Sequence, residues 1–326
     1  MRGTALNLLT SYLTNRMQQV TFNNSHSQLK LVKHGVPQGS VLGPVLFIIY
    51  TNDLPASIND NNINVVLYAD DTTILKSSST MYDALSKAEN WFKANNLTLN
   101  KDKTQQVKFT LDKTTINNVK NIKFLGIYLS SSLNWSFHVQ WVCDKLSRMV
   151  FAIRQIAEVA SAEAAIAAYY GMFHSVMSYG IILWGNSPHA CKIFILQKKV
   201  IRIICKVKHN EHCSPLFIKL GIMSLPSLYM YQCLIYAKTN INRFESHSDY
   251  HSYNTRAKNA ICLPQRRLNM SQTAPDYIAK KLYNRLPESI KVLPQKIFKT
   301  KLNKFFKQNC FYSVDDFFKN NYTYFL

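Results

Sequence analysis

Apolar residues recur along this chain with two different periods. Leu6, Leu9 and Leu13 have helical spacing, so residues 2–13 predict a helix. Residues 19–22 and 28–33 flank the polar stretch Asn23-Asn24-Ser25-His26-Ser27, which predicts two strands and a turn. Ser40 is a good N-cap, and Pro44 falls in the first turn of the apolar run 41–50. That run predicts a helix ending before Asp53-Leu54-Pro55. Within residues 65–75, two short apolar runs predict strands joined through Ala69-Asp70-Asp71. Ala84, Leu85, Ala88, Trp91 and Phe92 predict an amphipathic helix over 81–95, followed by a strand over 106–110.

The helical period then takes over. Residues 121–129 alternate weakly and predict a strand pair. Val139, Val142, Leu146, Met149, Val150, Ile153 and Ile156 form a sustained helical stripe, with Lys145, Arg148 and Arg154 largely off it. Residues 160–168 are alanine-rich, and residues 169–184 are aromatic, stopped by Gly185-Asn186-Ser187-Pro188. Helical patterns return over 194–206, over 216–237 around Pro226, and over 298–306, the last basic and amphipathic. A Ser- and His-rich stretch over 246–271 predicts a linker. There is no internal repeat.

Charge sharpens this picture. The 326 residues carry 39 Lys and Arg against 18 Asp and Glu, a net charge of +21, with 47% hydrophobic residues. That balance points to nucleic acid as the natural partner. No apolar run reaches the roughly 18 residues of a membrane span, so no membrane partner is expected. The first residues are too polar for a signal peptide. Seven cysteines, an odd number, do not suggest a disulfide framework and predict a reducing, intracellular compartment, cytoplasm or nucleus. Cys205, His209, His212 and Cys213 could be soft metal ligands, but their spacing suits a helix end better than two zinc knuckles.

The candidate chemistry lies at Asp70 and Asp71. Adjacent carboxylates beside apolar strands repel each other, and a hard divalent cation such as Mg2+ would relieve that repulsion. Strand side chains alternate faces, so Asp70 is the expected main ligand and Asp71 the helper. A solvated turn is the plainer alternative. Upstream stand Gly35-Val36-Pro37-Gln38-Gly39-Ser40-Val41-Leu42-Gly43-Pro44 and then Asn52-Asp53-Leu54-Pro55, with Tyr68-Ala69-Asp70-Asp71 following. In order and spacing, this set closely resembles the reverse transcriptases of non-LTR (LINE-type) retrotransposons.

The resemblance implies an RNA-directed DNA polymerase that uses Mg2+, an RNA template, a DNA primer and dNTP. It implies that Pro37, Gln38, Gly39, Ser40 and Tyr68 shape the nucleotide and template pocket, and that Asp70 and Asp71 are catalytic metal ligands. Lys103, in Asn96-Leu97-Thr98-Leu99-Asn100-Lys101-Asp102-Lys103-Thr104, matches a lysine placed near the leaving pyrophosphate; a surface lysine in a turn reads equally well. Phe124, Leu125 and Gly126 match the segment that grips the primer end; a buried strand is the bland alternative. Asp53 looks like a local cap. The implied fold is α+β: a partial right-hand polymerase palm over 1–130, a thumb over 131–160 and a helical basic C-terminal region over 161–326. In the resembled family a further palm aspartate lies upstream of the Pro-Gln-Gly motif. Residues 1–52 contain no Asp or Glu. The expectation is therefore a C-terminal part lacking the fingers, with half a metal site. The alternative reading is a transposon remnant that binds nucleic acid without polymerising.

Overall fold

A computed structural model describes residues 2–36, 39–58, 62–77, 81–109, 121–250, 253 and 258–319. The chain divides into two compact units, Met1–Gln105 and Gln106–Leu326, each with its own core. The architecture mixes helices with two-stranded antiparallel sheets, as an α+β fold requires.

The first unit opens with helix α1 (Thr4–Leu13), whose Leu6 and Leu13 remain exposed. Strands β1 (Met17–Gln18) and β4 (Lys30–Leu31) pair, as do β2 (Thr21–Phe22) and β3 (Ser25–His26). The turn is shorter than expected. Asn23 and Asn24 both take positive φ and close a two-residue loop, so Ser25 and His26 belong to a strand. Helix α2 (Leu42–Tyr50) follows; Ser40 Oγ accepts the Gly43 N–H at 2.9 Å and caps it as expected. Short α3 (Leu54–Ser57) leads to strands β5 (Ile63–Tyr68) and β6 (Asp71–Lys76), then α4 (Met81–Ala94). Two backbone bonds close α4: Asn96 N–H to Lys93 O and Leu97 N–H to Phe92 O, with Asn96 at positive φ.

The first core is small. Leu54, Ile58, Ala84, Ala88 and Trp91 are buried, with Ile63, Val65, Leu67, Ile74, Phe92 and Leu97 packed against them. Asp53 does not act as the expected cap. It precedes α3, but its Oδ2 accepts the Trp91 indole N–H at 3.4 Å, so a core tryptophan claims it. No strand forms over 106–109, because nothing among the described residues pairs with them; Thr110 lies outside the described residues.

The second unit begins with the hairpin β7 (Ile122–Phe124) and β8 (Ile127–Leu129), followed by the long helix α5 (Ser136–Val159). Its buried face is the expected stripe of Val139, Val142, Leu146, Val150 and Ile153. Next come α6 (Ala162–Ala168), the π-helical turn Tyr169–His174, α7 (Ser175–Ser178) and α8 (Ile181–Trp184). The aromatic stretch is therefore not one helix. It breaks at Gly180, at φ +60°. Helices α9 (Cys191–Ile204), α10 (Cys213–Leu220) and α11 (Leu225–Thr239) follow, with Pro226 in the first turn of α11. Then come α12 (Asn269–Gln272), α13 (Pro275–Arg285), α14 (Glu288–Lys291), α15 (Gln295–Gln308) and α16 (Val314–Lys319).

One large core joins these helices. At its centre Gln197, fully buried on α9, donates to Tyr169 Oη and Met223 O and accepts the Leu225 N–H, all at 2.8–2.9 Å. The 246–271 stretch is not a free linker where it is described. His247 and Cys262 N–H bond to Ala260 O and Glu245 O, Ile261 is buried, and Arg266 pairs with Asp276 at 2.8 Å. No single helix among the described residues is long and apolar enough to cross a membrane.

Gly185 is a tight point of this core. A Cβ there would lie 2.6 Å from Ile181 O and 2.8 Å from the Tyr229 ring. Gly185→Ala is expected to destabilise the second unit by about 1–3 kcal/mol through overpacking, read as a lower urea midpoint; an unchanged midpoint would refute that packing.

Candidate nucleotidyl-transfer site

The acidic hairpin is built by alternation. Ile63, Val65 and Leu67 face inward on β5, and the directly paired Ile74 and Thr72 share that face. Asn64, Val66 and Tyr68 point outward with Leu75, Thr73 and Asp71. Tyr68 pairs with Asp71, leaving Ala69-Asp70 as a two-residue loop. Ala69 takes φ +52° and Asp70 has no positive φ, so the first loop position holds a conformation that normally prefers glycine.

Asp70 and Asp71 are both exposed at this tip, and neither carries a hydrogen bond or ion pair among the described residues. Tyr68, 64% exposed, stands across from Asp71 on the outer face. Two unengaged hard oxygen donors suit a Mg2+ ion, which keeps several waters and is held by one or two carboxylates plus substrate phosphates. Among the described residues no group of three His, Cys, Asp or Glu side chains comes together as a metal site. The donor set is thus a pair.

The other expected residues lie at separate places along the chain. Pro37 and Gln38 lie outside the described residues. Gly39 is exposed at φ +81°, and a Cβ there would meet nothing within 4 Å. Ser40 is committed to capping α2. Lys103 is exposed in a turn where its N–H bonds Asn100 Oδ1 at 3.1 Å. Phe124, Leu125 and Gly126 form the tip of the β7–β8 hairpin, with Leu125 and Gly126 both at positive φ in a two-residue loop.

That second tip is clamped by residues that no local sequence pattern singles out. Tyr179 Oη donates to Leu125 O. A Cβ on Gly126 would lie 3.3 Å from the Tyr179 ring, and one on Gly180 would lie 2.5 Å from Ile127 Cδ1. At the hairpin's base, Tyr128 N–H donates to Nδ1 of buried His138 at 3.3 Å, and Tyr128 packs edge-on against Trp141. Lys145 Nζ sits over the Trp141 ring at 4.0 Å. The one available signal was a glycine interrupting an aromatic helical run.

The cysteine–histidine cluster is a helix end. Cys205 caps α9, Cys213 donates weakly to Lys198 O, and His212 stacks on Tyr312. Burial pushes both thiols up, against ready metal binding.

Comparison with known proteins agrees with the hairpin's surroundings. Residues 3–129 match the family described as Reverse transcriptase (RNA-dependent DNA polymerase). The chain is 29% identical over 229 residues to the RNA-directed DNA polymerase from mobile element jockey of Drosophila melanogaster, covering 60% of this chain and 24% of that protein. It is 28% identical over 226 residues to the probable RNA-directed DNA polymerase from transposon BS of the same fly, covering 60% and 25%. It is 24% identical over 203 residues to the retrovirus-related Pol polyprotein from type-1 retrotransposable element R1 of Bradysia coprophila, covering 56% and 20%. The chain thus spans about a quarter of the length of the curated relatives it matches. The matched segment runs past the first compact unit and takes in the β7–β8 hairpin.

Removing the clamp should loosen that hairpin. Tyr179→Phe deletes one hydrogen bond, expected to cost about 1 kcal/mol, and Gly180→Ala should cost more because its φ and the Ile127 methyl both oppose a Cβ. Faster amide hydrogen exchange over 122–129, with α15 unaffected, is the expected reading; unchanged exchange in both variants would show that the clamp holds nothing.

His138 makes stability depend on pH. Burial lowers its pKa from 6.5 to about 4, because the charged ring would lose its hydration there. Between those values the unfolded chain binds the extra proton, so this contribution is full above about pH 6.5 and is lost as pH falls towards 4. Urea unfolding at pH 7 and pH 4.5 is expected to differ by on the order of 2 kcal/mol more in wild type than in His138→Gln; equal differences would refute it.

Proposed function

We propose that this chain is part of an RNA-directed DNA polymerase, and that Asp70 and Asp71 hold the Mg2+ of its nucleotidyl-transfer site. The observation that carries this is the pair of unengaged carboxylates at a two-residue hairpin tip, inside residues that match the reverse transcriptase family. Bound Mg2+ would supply charge neutralisation at the primer 3′-hydroxyl and the departing pyrophosphate. Asp70 in the loop is the principal ligand, and Asp71, the first residue of β6, is the helper. Tyr68 flanks the incoming dNTP. Gly39 lets backbone approach the nucleotide and template closely, together with Pro37, Gln38 and Ser40. Lys103 places a positive charge, or a proton, at the leaving pyrophosphate. Phe124, Leu125 and Gly126 grip the primer end, held by Tyr179. In this reading residues 1–130 are a partial right-hand palm, α5 serves as the thumb along the template–primer duplex, and residues 161–326 form a basic C-terminal region. The reaction is intracellular, in cytoplasm or nucleus.

A second reading has a specific observation behind it. With two carboxylates rather than three meeting at the hairpin among the described residues, this reading has the chain by itself bind nucleic acid without extending a primer. The two readings separate in one experiment. Mn2+ is expected to broaden the amide resonances of residues 68–72 in the wild-type chain and not in Asp70→Asn. The chain alone is expected to add no nucleotide to a primed RNA template. Within a longer protein that supplies a third carboxylate, single-turnover incorporation should appear, vanish in Asp70→Asn, fall less in Asp71→Asn, and slow by roughly ten- to a thousandfold in Lys103→Ala. Wild-type incorporation by a folded Asp70→Asn protein would reduce the hairpin to an ordinary turn.

A further inference from the structure

The positive charge is not spread evenly. Met1–Gln105 carries nine Lys and Arg against seven Asp and Glu, whereas Gln106–Leu326 carries thirty against eleven. Within the second unit, residues 289–314 contain six lysines and no acidic residue. Five of the six, Lys296, Lys299, Lys301, Lys304 and Lys307, lie on α15.

Several other lysines of the unit are engaged by neighbours. Lys145, Lys198, Lys238, Lys280 and Lys281 each lie over an aromatic ring, and Lys291 pairs with Glu288. Among the described residues, no ion pair or ring engages any of the five on α15. Phe298, Leu302 and Phe306, four residues apart, are sunk in the core. Helical geometry then turns Lys296, Thr300 and Lys304 to the opposite side, with Lys299 and Lys301 flanking and Lys307 half-buried at the edge. Lys296 and Lys304 are about 12 Å apart along the axis.

We propose that the outward face of α15 is a sequence-independent binding surface for the phosphate backbone of nucleic acid. The partner follows from the chemistry. A basic amphipathic helix that lies on a membrane inserts its apolar face, but here that face is already consumed by the core. Lysine is a point charge without the planar fork that reads base edges, so the surface contacts phosphates and not sequence. A duplex carries one charge per about 1.7 Å of axis, so a 12 Å strip meets several. The proposal extends the nucleic-acid reading above to a named surface, yet it does not depend on the acidic hairpin.

The test is fluorescence anisotropy of the full chain with a labelled single-stranded RNA and an RNA–DNA duplex, from 50 to 200 mM salt. Lys296→Gln, Lys299→Gln, Lys301→Gln and Lys304→Gln are combined in one variant. Lys307 is spared because it faces His174. Affinity at 50 mM is expected to fall at least about tenfold, and the slope of log affinity against log salt to shrink by about two or more. The control neutralises four exposed lysines around α9, namely 192, 199, 206 and 208, which removes the same net charge. An equal loss in the control would overturn the proposal, leaving only bulk charge. So would unchanged RNA affinity with lost binding to phosphatidylserine vesicles, which would make the face a membrane contact. Should the fourfold variant fail to fold, RNA is expected to shield the α15 lysines of the wild-type chain from acetylation more than the α9 set, and equal labelling would overturn the idea. Asp70→Asn should bind RNA as wild type does, so a failed polymerase reading leaves this result untouched.

Discussion

Two strands do not stand by themselves in water, and the acidic hairpin exists because one of its faces is buried. Ile63, Val65, Leu67 and Ile74 rest on the small core of Leu54, Ile58, Ala84, Ala88 and Trp91. Because side chains alternate strictly, that burial fixes which residues look outward, and a register slip of one residue would turn Tyr68 and Asp71 into the core. The carboxylates therefore owe their position to aliphatic contacts on the opposite face. Trp91 also ties this core to Asp53, and Tyr50 Oη bonds Asn95 O at 2.7 Å, so α2, α3 and α4 are linked by polar as well as apolar contacts.

The second unit solves a different problem. Its helices bury large aromatic side chains, among them Trp184, Tyr169, Tyr229 and Phe173, around a fully satisfied glutamine amide. Burying Gln197 is tolerable only because its donor and acceptor sites all find partners. Lysines at the margin lay their ammonium groups over rings, where the π face partly replaces water. Acidic residues are scarce, so positive charge accumulates on this unit, while Asp70 and Asp71 belong to the other.

Local pattern made much of this legible. The period-two runs around Asp70-Asp71, the helical stripe of α5, and Ser40 with Pro44 at the start of α2 each state their element within a dozen residues. What stayed hidden depended on partners distant in sequence. Asp53 reads as a cap until Trp91, 38 positions on, takes its carboxylate. The hairpin at Phe124-Leu125-Gly126 reads as an ordinary strand pair until Tyr179, 54 positions on, bonds its tip. The polar composition of 246–271 suggests free chain, but its backbone groups pair among themselves and carry Ile261 into the core. Composition reports side chains, and those contacts are made by the main chain.

Ala69 carries one more implication, for anyone who would improve this protein. An alanine at φ +52° sits in a conformation that glycine adopts without a Cβ penalty. A library selected for heat resistance alone would be drawn to glycine there, because relieving a positive-φ alanine recovers stability at little cost in contacts. The same exchange would release the loop to wander. Under the proposed metal role of Asp70, selection for robustness and selection for turnover would pull this single position in opposite directions.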